Sequence, residues 1–235
     1  MKLKGKTAIV TGASDGIGKQ IALKLAKEKV NLALIARNEE ALAQVQIAAE
    51  RLGSPKTHTY PSDVKNKEQI KKTITKIASD FRSIDILLNV AGIWQKMDLL
   101  ENVNDEVVRD VIETDLTGLI YVTKFSMKHL KVAKEAAIIN ISSRSGVTAQ
   151  PEQSVYTAAK WGVTGFTEVL KQDLKNTKIR VAGVYQGGTN TEMFRKTGEN
   201  FKQDKFTKPG NLAEVIVFML SRPPKIWLHD VRVEY

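Results

Sequence analysis

Short aliphatic runs alternate with longer amphipathic stretches along nearly the whole chain, and this alternation restricts the fold more than any other feature. Thr7–Thr11, Asn31–Ala36, Thr57–Tyr60, Ile84–Asn89, Ala137–Ser142 and Ile179–Val184 are too short for helices and rich in residues that suit buried strands. Between them lie stretches of helical length at about 17–29, 39–52, 66–81, 104–131 and 155–176. Asn38 before Glu39 and Glu40, and Asn66 with Glu68, are good helix starts, because the amide oxygen caps and the acids suit the helix dipole. A strand–helix–strand repeat with short connections implies a doubly wound parallel α/β sheet, helices on both faces and right-handed crossovers. A further helix is expected at 211–221 and a last strand-like run at Ile226–Val233, beyond Pro223-Pro224 and ending at Tyr235. Residues 186–210 break the pattern: Gly187, Gly188, Gly198, Pro209 and Gly210 among polar residues predict a mobile substrate loop.

The 235 residues suit one domain over 1–235 with a sizeable core. No apolar run is long enough to span a bilayer, and Met1–Lys6 leads straight into the first strand, unlike a signal peptide. The absence of cysteine excludes disulfides and thiolate metal sites and fits a cytoplasmic location. His58, His129 and His229 have no metal-ligand spacing, so no metal is expected. The formal charge of +10 comes from lysines scattered over every helix. It describes a solvated surface better than a nucleic-acid footprint, and no groove-reading motif accompanies it.

The first strand runs into Thr11-Gly12-Ala13-Ser14-Asp15-Gly16-Ile17-Gly18, immediately before a helix. Glycines here let the backbone turn tightly and approach a pyrophosphate, which then sits at the positive helix terminus. This is the phosphate turn of a Rossmann-type fold. The second strand ends in Ala36-Arg37-Asn38, where a carboxylate would select NAD(H) by holding the ribose hydroxyls. Arg37 instead suits a 2′-phosphate, so NADP(H) is favoured over NAD(H).

Tyr156 and Lys160 lie four apart on a predicted helix and so share a face, with Ser143 thirteen residues upstream of the tyrosine at a strand end. A neighbouring ammonium favours the phenolate of a tyrosine whose pKa is otherwise near 10. Such a tyrosine exchanges a proton with a carbonyl or alcohol oxygen near neutral pH.

Together these motifs resemble the short-chain dehydrogenase/reductase family in its single-domain form, over Lys6 to about Val217. The resemblance makes the glycine turn, with Gly12, Ser14, Asp15, Gly16, Ile17 and Gly18, the cofactor cradle, and assigns Asp63-Val64 to the adenine ring. It places Asn89, Ala91 and Gly92 along the cofactor and Gly187, Thr189 and Thr191 near the nicotinamide, with Arg37 and Asn38 at the adenosine ribose. Ser143 is implied to orient the substrate oxygen, Tyr156 to transfer the proton, and Lys160 to tune Tyr156 and hold the nicotinamide ribose. The implied reaction is NADP(H)-dependent interconversion of a ketone or aldehyde and its alcohol, carbonyl reduction being the favoured direction. Similarity to 3-oxoacyl-carrier-protein reductases adds an acyl-carrier protein as a candidate partner, and the family implies a homodimer through the helices near 104–131 and 155–176.

The chain departs from the family pattern at three places. Asp115 stands where an asparagine is usual; buried, it would either raise its own pKa or favour the charged form of Lys160, and the pH profile of the site is expected to shift. Gln186 replaces a proline and is expected to loosen the entry to the following loop. Val90 removes a polar group beside Ala91-Gly92. These departures keep a second reading open, a cofactor-binding sensor with little catalysis. Trp94, Met97, Gln150, Tyr185 and Met193 are candidate pocket residues by position, with core packing as the competing role.

Overall fold

The computed structural model describes residues 1–223 and 225–234, so Pro224 and Tyr235 lie outside the described residues. Seven parallel strands form one sheet in the order β3-β2-β1-β4-β5-β6-β7. They are β1 (Thr7–Thr11), β2 (Asn31–Ala36), β3 (Thr57–Pro61), β4 (Ile86–Asn89), β5 (Ala136–Ile141), β6 (Ile179–Gln186) and β7 (Asp230–Val233). Helices α1 (Gly16–Lys27), α2 (Glu39–Arg51), α3 (Lys67–Asp80), α4 (Asp105–Ile112), α5 (Leu119–Val132), α6 (Ser154–Leu174) and α7 (Pro209–Ser221) connect them.

The period-two geometry of the strands divides the core. Ala8, Val10, Leu32 and Leu34 face the side covered by α1, α2 and α7. Their neighbours Ile9, Ala33 and Ile35 face α3, α5 and α6. Both faces are dry, which is why the strands read as unbroken aliphatic runs. Each fully buried Leu or Ile contributes about 1.5–3 kcal/mol of burial. Asparagine caps recur: Asn38 Oδ1 accepts from the Ala41 amide at 2.9 Å, Asn66 Oδ1 from Gln69 at 3.0 Å, and Asn104 Oδ1 from Glu106 at 2.8 Å. The connectivity reverses between β1 and β4, and such a switch point opens a crevice at the carboxyl ends of the strands.

Two sequence expectations are corrected. The helix expected over 104–131 is interrupted by a π-helical turn at Glu113–Gly118 between α4 and α5, a feature that hydrophobic periodicity does not signal. The last strand covers only Asp230–Val233, because the Ile226 amide turns back onto the Pro223 carbonyl at 2.9 Å. Gln186, expected to loosen the loop entry, is the last residue of β6, paired in register with Val233. The following amide, of Gly187, donates to the Val233 carbonyl at 2.8 Å. The loop beyond is drawn together at its neck, where Thr207 donates to Gly188 at 3.0 Å and Asn190 to Thr207 at 2.9 Å.

Candidate active site

A cleft of about 880 Å³ opens at the β1/β4 switch point. Gly12, Ser14, Asp15, Gly16, Ile17 and Gly18 form one wall. Arg37 and Asn38 lie at the end of β2, Asp63 and Val64 after β3, and Ala91 and Gly92 after β4; Thr191 closes the cleft from the β6–α7 loop. Gly12 has a φ of +65°, and a Cβ there would lie 2.9 Å from Ala91 Cα. A Cβ on Gly18 would lie 2.2 Å from the Gly12 carbonyl oxygen. Both positions therefore require glycine, one for its turn and one for the close approach of α1 to β1. The Thr11 hydroxyl, 2.9 Å from the Val90 amide and 3.1 Å from that of Ala91, accepts from both and ties the glycine turn to the β4 end.

Charge along the cleft is uneven. Arg37 is exposed and makes no hydrogen bond or ion pair among the described residues, so its guanidinium is free for an anion. Asp15 caps α1 through its Gly16 amide at 2.6 Å, and its other oxygen pairs with Lys196 at 3.2 Å. Lys196 also lines the cleft, so the β6–α7 loop straps across its mouth. Nothing in the local sequence marks this lysine; only the fold brings it to Asp15. Asp63 shapes the turn after β3, its Oδ1 accepting from the Lys65 amide at 3.0 Å.

Five predicted cofactor residues do not line the cleft: Tyr156 and Lys160, which lie behind it, and Asn89, Gly187 and Thr189. Asn89 is fully enclosed, and its amide donates to Thr123 Oγ1 at 2.9 Å and Asn140 Oδ1 at 2.8 Å. It bridges β4 to β5 and α5 instead of facing the cleft. Gly187 continues the β6–β7 ladder, and Thr189 is buried at the neck of the loop, bridged to Thr207. Of the other pocket candidates, Trp94 and Met193 line the cleft. Gln150 is bonded to Arg144 at 3.2 Å, and the Tyr185 phenol donates to Asp230 at 3.1 Å.

Ser143, Tyr156 and Lys160 are brought together behind the cleft wall: none of the three lines the cleft, but Lys160 Nζ would lie 3.4 Å from a Cβ on Gly92, and Trp94 packs on Tyr156. Ser143 caps the helical turn Arg144–Gly146, accepting from the Ser145 amide at 3.1 Å. That turn packs against α6 so closely that a Cβ on Gly146 would lie 2.8 Å from the Lys160 carbonyl oxygen. The first turn of α6 has no cap of its own. Gln95 supplies one from the β4 side: its Oε1 accepts from the Val155 amide at 3.1 Å and the Tyr156 amide at 3.0 Å. This side chain is buried and positions Tyr156, yet a lone glutamine sixty residues away gives no sequence signal of that role.

Lys160 Nζ sits 5.5 Å from the centre of the Tyr156 ring and 2.9 Å from Asp115 Oδ2. Asp115 projects from the π-helical turn, is completely buried, and accepts from the Ile93 amide at 2.8 Å through Oδ1. Burial pushes its carboxyl above the ordinary range, against the pull of Lys160 and the Ile93 amide. Burial also works against the Lys160 ammonium, but Asp115 and then the Tyr156 oxygen outweigh it, so the lysine stays protonated above its usual range. The Tyr156 phenol is raised above 10 by burial; Lys160 opposes this, Asp115 reinforces it, and the Ser143 hydroxyl draws it down. Lys160 is thus held as a charged ammonium in a buried ion pair with Asp115. Among the described residues no cluster of three or more His, Asp or Glu is placed to hold a metal, and no helix is long and apolar enough to cross a membrane.

Residues 6–202 match the short chain dehydrogenase family. The chain is similar to the 3-oxoacyl-[acyl-carrier-protein] reductase of Thermotoga maritima, 32% identical over 94% of this chain and 92% of the relative. Its fold is shared with an alcohol dehydrogenase of Thermococcus sibiricus solved with 5-hydroxy-NADP, at a TM-score of 0.89 and 22% identity over 98% of this chain and 96% of that one. It is shared equally with carveol dehydrogenase of Mycobacterium avium in complex with NAD, at a TM-score of 0.90 and 23% identity over 99% and 97%. The sheet order, the glycine-walled cleft and the match over most of the length agree, and the chain belongs to the short chain dehydrogenase family of oxidoreductases.

Proposed function

We propose that this chain is an NADP(H)-dependent carbonyl reductase, with Ser143, Tyr156 and Lys160 as its catalytic residues and Asp115 as the group that tunes them. The observation that carries this reading is the buried convergence of the Tyr156 phenol, the Lys160 ammonium and the Ser143 hydroxyl beside a glycine-walled cleft. The cleft fits a dinucleotide: glycines leave room for close backbone approach, α1 presents its N-terminus, and Arg37 is an unpaired cation at the β2 end. Arg37 supports the 2′-phosphate of NADP(H) over NAD(H). Structural relatives are solved with each type of nicotinamide cofactor, 5-hydroxy-NADP in one and NAD in the other. Lys196 would offset the pyrophosphate charge beside Asp15.

When bound, the nicotinamide supplies the hydride. Tyr156 donates the phenolic proton to the substrate oxygen, and Ser143 donates a hydrogen bond that orients that oxygen. Lys160 stabilises the phenolate left behind, and Asp115 limits how far it does so. Carbonyl carbon gains the hydride and oxygen the proton, giving the alcohol; the reverse direction uses the phenolate as base.

A small carbonyl compound is the substrate in this reading. An acyl chain delivered by an acidic carrier protein is the second, supported by exposed Lys96, Lys202 and Lys205 and by the name of the Thermotoga relative. Exposed Trp161 and Val169 on α6 support a homodimer through that face. A cysteine-free chain without a membrane-crossing helix among its described residues supports a cytoplasmic location. The test is oxidation of NADPH and NADH side by side on a carbonyl panel, with Tyr156→Phe expected to lower kcat at least a hundredfold while leaving NADPH binding intact. NADPH binding with no turnover on any carbonyl would favour the sensor reading, for which the pairing of Lys160 with Asp115 is the supporting observation.

A further inference from the structure

Tyr156 is only 3% exposed, and the lid over it is made of aromatic rings. Trp94, from the loop after β4, stands edge-on to Tyr156 with ring centres 4.6 Å apart. From the β6–α7 loop, Phe194 packs on Trp94 at 5.0 Å, and Phe201 touches both at 6.4 Å and 5.1 Å. Phe206 backs these two phenylalanines at 5.6 Å and 6.2 Å. Met97, Met193 and Val155 fill the same cluster. The protein's own apolar side chains thus occupy the space beside the phenol that a substrate must enter.

Two loops meet in this cluster, and their attachment is local. The Glu199 carboxylate accepts from the Met97 amide at 2.7 Å, the one polar link between lid and β4 loop among the described residues, and the exposed Lys196–Asp15 pair ties the lid to the glycine turn. The loop neck at Gly188–Thr207 is paired separately, so the segment between can swing without unzipping the sheet. The cation beside Tyr156 is already paired with Asp115, so an anionic substrate gains no free counter-charge there. Lys96, Lys202 and Lys205 lie exposed on the outer side of the loops. The Trp94 indole N–H is buried without an acceptor among the described residues, and an incoming ligand oxygen would satisfy it. Displaced rings lose apolar contacts that only an apolar ligand body restores.

We propose that the Trp94–Phe194–Phe201 cluster is the substrate pocket in its closed state and selects a neutral, largely apolar ketone or alcohol, which enters as the lid lifts Phe194 and Phe201 from Trp94. This rests on the carbonyl-reductase reading and names its substrate class. Three probes separate the cases: decalone, neutral and apolar; cyclohexylglyoxylate, of similar bulk but anionic; and acetoacetyl-N-acetylcysteamine, a neutral polar thioester. In a W161F/W227F variant, Trp94 is the one tryptophan left of three. Decalone should change its fluorescence saturably, at least tenfold more tightly than the other two probes. NADPH oxidation in the unmodified protein should rank the probes in the same order. Phe194→Ala should raise KM for decalone about tenfold with the Kd of NADPH unchanged, and Phe194→Leu, which keeps an apolar side chain, should lie between.

Turnover that prefers the anionic or the thioester probe would overturn the pocket assignment while leaving the reductase reading intact. Saturable Trp94 quenching by decalone without NADPH oxidation on any probe would overturn the reductase reading while supporting the pocket. A Trp94 signal indifferent to decalone overturns the proposal whatever the turnover.

Discussion

Asp115→Asn removes one negative charge at nearly constant volume, and the structure sets the size of the response. The carboxylate is 2.9 Å from Lys160 Nζ, which is 5.5 Å from the centre of the Tyr156 ring. The carboxylate oxygen therefore lies within about 8 Å of the centre of the Tyr156 ring. At an effective dielectric of about 20, a unit charge at that distance contributes about 2 kcal/mol, more than one pH unit in a titration. Rearrangement of the freed ammonium and water entry reduce this, so the expected displacement is about one pH unit. The direction follows from the proton's role. Carbonyl reduction needs the phenol protonated, so kcat falls as pH rises through the tyrosine titration. Asp115 now holds that titration up alongside burial, and its removal moves the falling limb to lower pH. Alcohol oxidation needs the phenolate, so its rising limb moves to lower pH as well. The assay is kcat against pH in both directions for the two proteins at saturating cofactor. Salt should leave the displacement nearly unchanged, because Asp115 is fully buried. Limbs that coincide would refute the reasoning, and a shift to higher pH would reverse its sign. Unfolding provides an independent check. Asparagine keeps an acceptor for the Ile93 amide but leaves Lys160 without its counter-ion, and a loss of about 3–5 kcal/mol is expected by urea denaturation.

Three other substitutions test separate parts of the argument. Arg37→Ala should weaken NADPH binding by about ten- to a hundredfold, the worth of one charge-assisted contact, and leave NADH within twofold by fluorescence titration. Equal losses for both cofactors would remove Arg37 from the 2′-phosphate. Gln95→Leu strips the acceptor from the Val155 and Tyr156 amides; it should cost about 1–3 kcal/mol in urea and lower kcat more than it raises KM for NADPH. A stability loss with kcat unchanged would confine Gln95 to capping. Gly18→Ala places a Cβ against the Gly12 carbonyl oxygen, so it should abolish measurable NADPH binding and lower Tm by several degrees; a variant with unchanged Kd would show that the turn relaxes freely.

Much of this molecule was legible because the signals are local. β1 and β2 match their sequence expectations residue for residue, since a fully buried parallel strand must be apolar on both faces. The glycine turn was legible because few other residues permit its backbone path, and Tyr156 and Lys160 because helical spacing alone places them on one face. The π-helical turn was not legible. Its one extra residue per turn leaves the hydrophobic pattern of α4 and α5 intact while redirecting Asp115 into the interior. The direction of the Asn89 side chain was not legible, because its place beside Ala91-Gly92 says nothing of which way it turns, and the interior hydrogen bonds of Asn140 and Thr123 take it.

Sequence alone determined the alternating architecture, the position of the glycine-walled cleft and the pairing of Tyr156 with Lys160 on one helix face, because each depends on residues close together in the chain. Tertiary structure decided what surrounds that pair. Asp115 meets Lys160 across 45 positions of chain, Gln95 caps α6, Lys196 reaches Asp15, and Phe194 and Phe201 cover Trp94. Each of these contacts joins distant segments, and their geometry exists only once the sheet has set its strand order. The charge on Lys160 and the apolar cover over Tyr156 are therefore properties of the fold.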